Sequence, residues 1–367
     1  MNIASKVLIL TNHSGGLYSF RKELLAALKQ STSVITAVPH NDRWDELQYL
    51  ADRVIELPVD RRGMNPLHDS RLFHRYRAIL KEIKPDLVLT YTIKPNIYGG
   101  LACRMAHIPY TVNITGLGSA IENGGWLRRL VLTLYRAALK KAKVVFFENS
   151  GNRDTLVAAG VVPKGRDVVL NGAGVNLDDF PYQPYPQDTI VRFLFVGRVM
   201  HEKGVDELFT AAMRMKKEYG DKVEFHIVGS FEEAYKPLMD ELVDAGIVQY
   251  HGYQADMKPF YAMASCVVLP SYHEGMSNVL LEGAASGRPL ITSDIPGCRE
   301  AVEDGVSGFL CKPQDADGLC AAMQKCMCSS LEERENMGKT GRTRMEKHFS
   351  KQAVVAATIQ ALGFKND

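Results

Sequence analysis

The chain has 367 residues, of which 46% are hydrophobic and 23% are charged, and its formal net charge is only +2. The length suits two domains, each with its own core, and the charge balance excludes a general affinity for polyanions such as nucleic acid. No segment has the ~20 uninterrupted apolar residues that span a bilayer, and the N-terminus predicts a first strand instead of a signal peptide. The seven cysteines contain no CxxC pair. We therefore expect a cytoplasmic protein with free thiols and no zinc site.

Short apolar strands alternate with longer amphipathic stretches, which is typical of parallel sheets wound with helices. In the first half, strands are predicted to begin at Lys6, Ser33, Asp86, Pro109 and Lys143. In the second half, they are predicted to begin at Arg192, Val223, Cys266 and Pro289. Between the halves, the prolines of FPYQPYPQD (180–188) predict an exposed linker. We therefore predict two doubly wound α/β domains, residues 1–180 and 189–348, with a terminal helix in 349–367 that returns to the first domain.

Gly15 and Gly16 follow the first predicted strand, so they lie at a strand end, where a ligand is expected. Two doubly wound domains joined by a linker are expected to enclose a cleft lined by the carboxyl ends of their strands, where such folds bind ligands. For Gly15 and Gly16 we predict a tight turn before a helix that begins near Leu17. Glycines let a ligand approach the backbone, and a helix N-terminus offers unpaired N–H groups. The alternative is a turn that only reverses the chain.

The first strand of the second half ends at Gly197, and the loop after it carries Arg198 and Lys203. The loop opens a helix, so two cations and a helix N-terminus converge as a diphosphate requires. Arginine offers a planar fork and lysine a point charge, which suit phosphate oxygens at different angles. The alternative is a pair of solvated surface charges.

Two glutamates lie eight positions apart in HEGMSNVLLEG. Glu274 lies in a loop after a strand, and Glu282 lies within the next helix, on the same face as Asn278. Carboxylates accept hydrogen bonds from sugar hydroxyls, so we predict that the two glutamates hold separate parts of one elongated ligand. An ordinary exposed helix glutamate is the alternative for Glu282. Ser277 is the predicted N-cap. Backbone N–H groups are expected to point at the same ligand from Gly275, Met276 and Ser277.

The arrangement E-G-x-x-x-x-x-x-E that starts at Glu274, preceded by G-R-x-x-x-x-K-G from Gly197, resembles the signature of the retaining glycosyltransferases of family 4. The likeness covers essentially the whole chain and implies the GT-B fold, with two Rossmann-like domains facing across a cleft. It implies that Glu274 holds hydroxyls of the donor sugar and that Glu282 holds the nucleotide ribose. Arg198 and Lys203 would hold the diphosphate. Fixed cations there stabilise the charge of the leaving group, so our candidate catalytic residues are Arg198, Lys203 and Glu274.

Further positions follow from the same resemblance. Gly252 and Tyr253 match the segment that reads the nucleotide base through main-chain groups, and the Gly15–Gly16 pair matches a loop near the transferred sugar. Thr115 and Gly116 lie on the acceptor or sugar side. Thr115 stands where many family members have a histidine, so the contact of that histidine with the sugar is not supplied here.

The segments ITGLGS (114–119) and NGAGVNLDDF (171–180) resemble bacterial enzymes that add sugars to undecaprenyl-diphosphate-linked saccharides. This implies a UDP-sugar donor, with an N-acetylhexosamine such as N-acetylgalactosamine, and a lipid-linked saccharide acceptor for surface glycan or glycoprotein assembly. It also implies retention of configuration and no cofactor or metal, and the chain has no DxD motif in a suitable loop. Two alternatives stay open: a UDP-sugar 2-epimerase of the same fold, and a non-catalytic nucleotide-sugar-binding subunit.

The stretch WLRRLVLTLYRAALKKAK (126–143) interleaves leucines with cations. It predicts a basic amphipathic helix on an anionic membrane surface, with Trp126 among the headgroups. The cations that would contact lipid include Arg128, Arg129, Lys140 and Lys141. The alternative is a core-packed helix with a solvated basic face. A lipid-linked acceptor favours peripheral association with the inner face of the plasma membrane.

Overall fold

The computed structural model describes residues 5–60, 63, 65–118, 121 and 124–364, and its contacts divide the chain into two compact units. The first unit takes in the chain up to Ala173 and again from Lys351, and the second runs from Gly174 to Ser350. Each unit is an open parallel sheet with helices on both faces. The predicted α/β class with two doubly wound domains is confirmed.

The first unit has a seven-stranded parallel sheet in the order β3-β2-β1-β4-β5-β6-β7. Its strands are β1 (Lys6–Leu10), β2 (Ser33–Val38), β3 (Arg53–Glu56), β4 (Leu87–Tyr91), β5 (Tyr110–Ile114), β6 (Val145–Phe147) and β7 (Asp167–Val169). Its described helices are α1 (Ser14–Lys29), α2 (Trp44–Leu50), α3 (Pro66–Ile83), α4 (Gly100–Ala106), α5 (Gly125–Leu139), α6 (Ser150–Ala158) and α13 (Lys351–Leu362). A π-helical turn, Pro95–Gly99, leads directly into α4.

Side chains of β1 alternate between two hydrophobic clusters, one on each face of this sheet. Val7 and Ile9 belong to one cluster and Leu8 and Leu10 to the other. Successive residues of a strand point to opposite faces, so a strand buried on both sides reads as a continuous apolar run. This explains why KVLIL was recognisable as a strand from the sequence.

The second unit has a six-stranded parallel sheet in the order β10-β9-β8-β11-β12-β13. Its strands are β8 (Val191–Val196), β9 (Val223–Val228), β10 (Gln249–Tyr250), β11 (Cys266–Leu269), β12 (Leu290–Ser293) and β13 (Gly308–Cys311). Its helices are α7 (Val205–Tyr219), α8 (Lys236–Asp244), α9 (Lys258–Met263), α10 (Asn278–Ala285), α11 (Ala316–Cys328) and α12 (Leu331–His348).

The proline-rich segment 180–188 packs on the second unit. Tyr185 is buried and its hydroxyl donates to the carbonyl of Ser265 at 2.9 Å. The buried guanidinium of Arg288 donates to the carbonyls of Gln183 and Pro184. Because these contacts tie the segment down, the division between the units falls before it, after Ala173, and not within it.

The last described helix, α13, belongs to the first unit. Lys351 donates from Nζ to the carbonyl of Phe20 in α1 at 3.2 Å. Val354 and Ile359 lie in the same hydrophobic cluster as Val7 and Ile9. The first unit is therefore completed by a segment that follows the whole second unit in the chain. Residues 365–367 of the predicted terminal helix lie outside the described residues.

Candidate functional site

The predicted site residues of the second unit lie after strands of one sheet. Loops with Arg198, Tyr253 and Glu274 follow β8, β10 and β11. All pairs in this sheet are parallel, so the carboxyl ends of these strands lie at the same edge, where ligands of doubly wound sheets bind.

Lys203 and Glu274 form an ion pair between the loops after β8 and β11. Lys203 Nζ lies 2.5 Å from Glu274 Oε1, and the two side chains are 18% and 13% exposed. The Ser271 hydroxyl donates to the same oxygen at 2.9 Å. The structure thus brings two of the three predicted catalytic side chains into direct contact, in a place where water screens them little.

Two glycines hold these loops close together. Gly204 has a φ of +71°, and a Cβ there would lie 2.1 Å from the carbonyl oxygen of Pro270. Gly297, after β12, has a φ of +88°, and a Cβ there would lie 2.5 Å from the carbonyl oxygen of Gly275. A side chain at either position would push the Glu274 loop away. Sequence reasoning missed Gly297, although its place after a strand was a usable signal.

Arg198 starts from the same loop as Lys203 but is held towards β9. Its Nη1 lies 3.1 Å from Glu232 Oε2, and the Glu232 N–H donates to the carbonyl of Val199. The Arg198 side chain is 42% exposed, so it keeps access to solvent. The two cations of the motif are therefore fixed by different carboxylates on neighbouring loops.

Glu282 is not an exposed helix glutamate, so that alternative is wrong. It is half-buried on α10, and its Oε2 accepts a hydrogen bond of 2.8 Å from the Tyr261 hydroxyl. Tyr261 on α9 is fully buried. Burial and the nearby Glu282 carboxylate raise the pKa of Tyr261 well above its usual value, so it remains a hydroxyl donor.

The prediction that the Ser277 N–H points at a ligand is wrong. This N–H donates to the carbonyl of Gly297 at 2.9 Å, which closes the contact between the loops after β11 and β12. The Ser277 side chain caps α10 by accepting from the N–H of Leu280, as predicted. The Met276 side chain lies in the hydrophobic core of the second unit, and Asn278 begins α10.

Gly252 and Tyr253 follow the edge strand β10. The Gly252 carbonyl accepts from the N–H of Gly229 at 2.8 Å, which attaches this loop to the end of β9. The Tyr253 side chain is largely exposed. Their predicted contact with a nucleotide base stays a prediction.

In the first unit, the turn predicted at Gly15 and Gly16 is wrong. Both glycines lie in the first turn of α1, which begins at Ser14, because His13 acts as its N-cap: Nδ1 accepts from the Gly16 N–H at 2.9 Å. The Ser14 hydroxyl donates to the carbonyl of Asp42. The glycines therefore lie at a helix N-terminus that a neighbouring loop partly covers.

Thr115 and Gly116 directly follow β5, and both are half-buried. The next segment, with residues 119, 120, 122 and 123, lies outside the described residues. Within the described part of the chain, no cluster of three or more His, Cys, Asp or Glu side chains is arranged to hold a metal ion.

Sequence reasoning missed a polar network beside the loop that carries Lys203. The Tyr272 hydroxyl lies 2.8 Å from both carboxylate oxygens of Glu207. The backbone N–H of Tyr272 donates to the carbonyl of Glu202. Asp206 accepts from His201 Nδ1 and from the hydroxyl of Tyr235. The signal was the pair of acidic residues in the first turn of α7, which also suits the positive end of the helix. These contacts fix the loops that carry Lys203 and Glu274.

The basic segment forms α5, and its outer surface is amphipathic. Trp126 is 73% exposed and Leu130 is also exposed, beside the exposed Arg128 and Arg129, while Tyr135 is buried in the core. Lys140 and Lys141 follow the helix and are exposed. None of the helices in the described residues combines the length and apolar character needed to cross a membrane.

Two doubly wound units, with a lysine–glutamate pair at the strand ends of the second, are what is expected of a glycosyltransferase of the GT-B class. Residues 191–329 match the family model "Glycosyl transferases group 1", and residues 22–172 match the "Glycosyl transferase 4-like domain". The chain therefore belongs to the group 1 glycosyltransferases, which confirms the resemblance seen in its motifs.

Curated relatives carry related names. The chain is 28% identical over 328 residues to N,N'-diacetylbacillosaminyl-diphospho-undecaprenol alpha-1,3-N-acetylgalactosaminyltransferase of Campylobacter jejuni, covering 84% of this chain and 86% of that protein. It is 24% identical to the capsular polysaccharide biosynthesis glycosyltransferase CapM of Staphylococcus aureus, covering 78% and 80% of the two chains.

Solved structures with a similar fold are more distant in sequence. Anabaena Alr3699/HepE, solved with UDP and glucose, aligns with a TM-score of 0.79 at 17% identity, covering 97% of this chain and 99% of the other. Sucrose-phosphate synthase from Thermosynechococcus elongatus aligns with a TM-score of 0.82 at 21% identity, covering 97% and 98%. These likenesses concern the fold alone.

Proposed function

We propose that this protein is a retaining, metal-independent transferase that moves a sugar from a UDP-sugar to a lipid-diphosphate-linked saccharide, in bacterial surface glycan or glycoprotein assembly. The names of the Campylobacter and Staphylococcus relatives support this assignment. The N-acetylgalactosamine in the first of those names supports an N-acetylhexosamine as the donor sugar.

The contact between Lys203 and Glu274 is the observation that carries the proposal. A nucleotide-sugar has anionic phosphates next to a hydroxyl-rich sugar, so it needs a cation and an acceptor of hydrogen bonds side by side. Lys203 Nζ and Glu274 Oε1 provide both at 2.5 Å. In the complex, the ammonium group of Lys203 would also contact the diphosphate, and Glu274 would accept hydrogen bonds from the sugar hydroxyls.

Breaking the sugar–phosphate bond places negative charge on the leaving diphosphate. Lys203 and Arg198 would stabilise that charge from positions that are already fixed by Glu274 and Glu232, so little reorganisation is needed during the reaction. The acceptor hydroxyl would attack on the face that the diphosphate leaves, and a leaving phosphate oxygen would take its proton.

The remaining donor contacts are proposed on adjacent elements. Glu282, oriented by the hydroxyl of Tyr261, would accept from the ribose hydroxyls. Main-chain groups of Gly252 and Tyr253 would contact the base. In the first unit, Gly15, Gly16, Thr115 and Gly116 would lie near the transferred sugar and the acceptor.

A lipid-linked acceptor also supports peripheral attachment to a membrane through α5. Trp126 and Leu130 would enter the interface while the neighbouring cations contact anionic lipid, at about 1 kcal/mol per suitably placed cation. We expect the protein to pellet with anionic vesicles. Joint neutralisation of Arg128, Arg129, Lys140 and Lys141 should abolish this, and unchanged pelleting would contradict the attachment.

The reaction is tested by incubating the protein with a panel of UDP-sugars and an undecaprenyl-diphosphate-linked saccharide. We expect transfer from one N-acetylhexosamine donor, with unchanged activity after chelation of divalent ions and an α-linkage in the product by NMR. A β-linkage, or loss of activity on chelation, would contradict the mechanism. If the protein converted the donor to its epimer without acceptor, its activity would be that of an epimerase and not of a transferase.

A further inference from the structure

A basic groove in the first unit lies at the edge of the sheet opposite to the predicted sites. It is formed where α3 ends at Ile83, before β4, and where α4 ends at Ala106, before β5. Its volume is about 590 Å³, within the range of sites for small ligands. Four basic side chains line it, namely His74, Arg77, Lys81 and Lys84.

The side chains of Arg77, Lys81 and Lys84 are exposed, and none of the described residues that line the groove carries a carboxylate. Two acidic residues that are close in sequence to the lining residues, Glu82 and Asp86, pair with other groups. Glu82 Oε1 lies 2.7 Å from Arg53 in β3, and Asp86 accepts from the hydroxyl of Ser5 at 2.7 Å. The groove is therefore a concentrated positive surface on a chain whose net charge is close to zero.

Cations at a helix C-terminus can simply complement the negative end of the helix dipole. That explanation suits Lys81, in the last turn of α3, and Lys84, its C-cap. It does not account for Arg77, six residues before the end of α3, because the dipole effect fades beyond the last turn. Nor does it explain why the floor of the groove is apolar.

The apolar part of the groove includes Leu80, Pro85, Met105 and Ile108. Met105 is 58% exposed and lines the same groove as the basic side chains. Cations around an apolar floor match a molecule with a phosphoryl group joined to an apolar portion.

We propose that this groove binds the phosphoryl headgroup of an anionic phospholipid. Arg77, Lys81 and Lys84 contact the phosphoryl oxygens, and Met105 lies against the glycerol and the first methylene groups. The groove is separate from the residues proposed for the reaction and from Trp126 on α5. The proposal rests on the membrane attachment proposed for α5: the groove strengthens that attachment and is not sufficient for pelleting without it.

The first test measures binding to vesicles of phosphatidylglycerol and phosphatidylcholine. The triple variant Arg77→Gln, Lys81→Gln, Lys84→Gln should bind roughly a hundredfold more weakly, because each of the three cations contributes roughly a fivefold factor. The matched control is Lys217→Gln, Lys222→Gln, Lys347→Gln, which removes the same charge from exposed sites in the second unit. Equal weakening of both variants would overturn the proposal.

The second test separates phosphoryl recognition from charge alone. Wild-type protein should prefer phosphatidylglycerol vesicles to oleate-containing vesicles of equal surface charge, and Met105→Gln should reduce that preference without changing the charge of the groove. Equal binding to both vesicles would overturn the proposal. Sugar transfer in detergent should be unchanged in the triple variant, so its loss of vesicle binding is distinguishable from a failure of the proposed reaction.

Discussion

At the scale of single residues, the ion pair between Lys203 and Glu274 predicts separate effects on phosphate and sugar binding. Lys203→Met should lower kcat/KM on the order of 10²–10³-fold and weaken UDP binding, because it removes the fixed cation. Glu274→Gln should lower transfer while UDP still binds, because glutamine weakens the sugar contact but keeps an oxygen that can accept a hydrogen bond from Lys203. Steady-state kinetics and calorimetry with UDP measure both effects. Lys217→Met, an exposed lysine of α7, is the control. If Lys203→Met left UDP binding unchanged, the phosphate role would be wrong.

Gly297 offers a second residue-scale prediction, with a control close by in the chain. Gly297→Ala should strain a backbone at φ +88° and also drive the new methyl group into the carbonyl of Gly275. Gly305→Ala meets the same kind of strain at φ +74° but has open space around its Cβ. We expect the backbone strain to cost both variants about 1–2 kcal/mol of stability in urea unfolding, and the clash to cost Gly297→Ala more. Only Gly297→Ala should also lose activity, and equal activity in the two variants would contradict the role of this loop contact.

The Tyr261 hydroxyl predicts a stability effect of its own. Tyr261→Phe leaves Glu282 half-buried without this donor and should cost about 1.5–3 kcal/mol, the range for hydrogen bonds to charged groups. It should also raise the KM for the UDP-sugar if Glu282 holds the ribose. Tyr49→Phe, at an exposed position, serves as the control in denaturant unfolding. A stable variant with a normal KM would show that this hydrogen bond does not orient Glu282.

At the scale of elements, the end of β9 and the loop after β10 predict a dependence of stability on pH. His226 Nδ1 lies 3.0 Å from His251 Nε2, and burial lowers the pKa of both histidines. Glu224 beside the pair opposes the shift of His226, and Arg192 adds to it. Because the unfolded state binds these protons more readily, the free energy of unfolding should fall as pH drops through about 6.5.

This dependence is measured by urea unfolding between pH 5 and 8. His226→Gln should flatten the curve. His201→Gln should not, because His201 is exposed and the carboxylate of Asp206 raises its pKa, which gives the opposite slope. An unchanged slope in His226→Gln would exclude the buried pair as the cause.

The strands that sequence reasoning found and missed differ in their place in the sheets. The nine predicted strands are the central ones of each sheet, and the four that were missed, β3, β7, β10 and β13, are all edge strands. A central parallel strand is covered on both faces and reads as a continuous apolar run, whereas an edge strand is shorter and less apolar. Gln249–Tyr250, for example, carries no periodic signal at all.

The candidate site was predictable where a motif marks a strand end. Arg198, Lys203 and Glu274 were found in this way. Glu282 and Tyr261 are 21 positions apart in the chain and lie on different helices. Ser277 donates to the carbonyl of Gly297 over a similar separation in sequence. Such pairings depend on how elements pack, which no local pattern records. The start of α1 was misplaced for a simpler reason, since histidine is a rare N-cap.

At the scale of the whole molecule, the chain order predicts that the first unit depends on its last helix. Ile359 of α13 is buried in the cluster that contains Val7 and Ile9 of β1, so Ile359→Ala should destabilise the first unit by about 2–5 kcal/mol. The second unit has a separate hydrophobic core and should keep its stability. Hydrogen exchange measures this directly: protection should fall in β1 and remain in β8. Val157→Ala, at an exposed position of α6 in the same unit, should change neither. Equal loss of protection in β1 and β8 would mean that the two units unfold as one, and unchanged protection in both would mean that α13 contributes nothing to the core it joins.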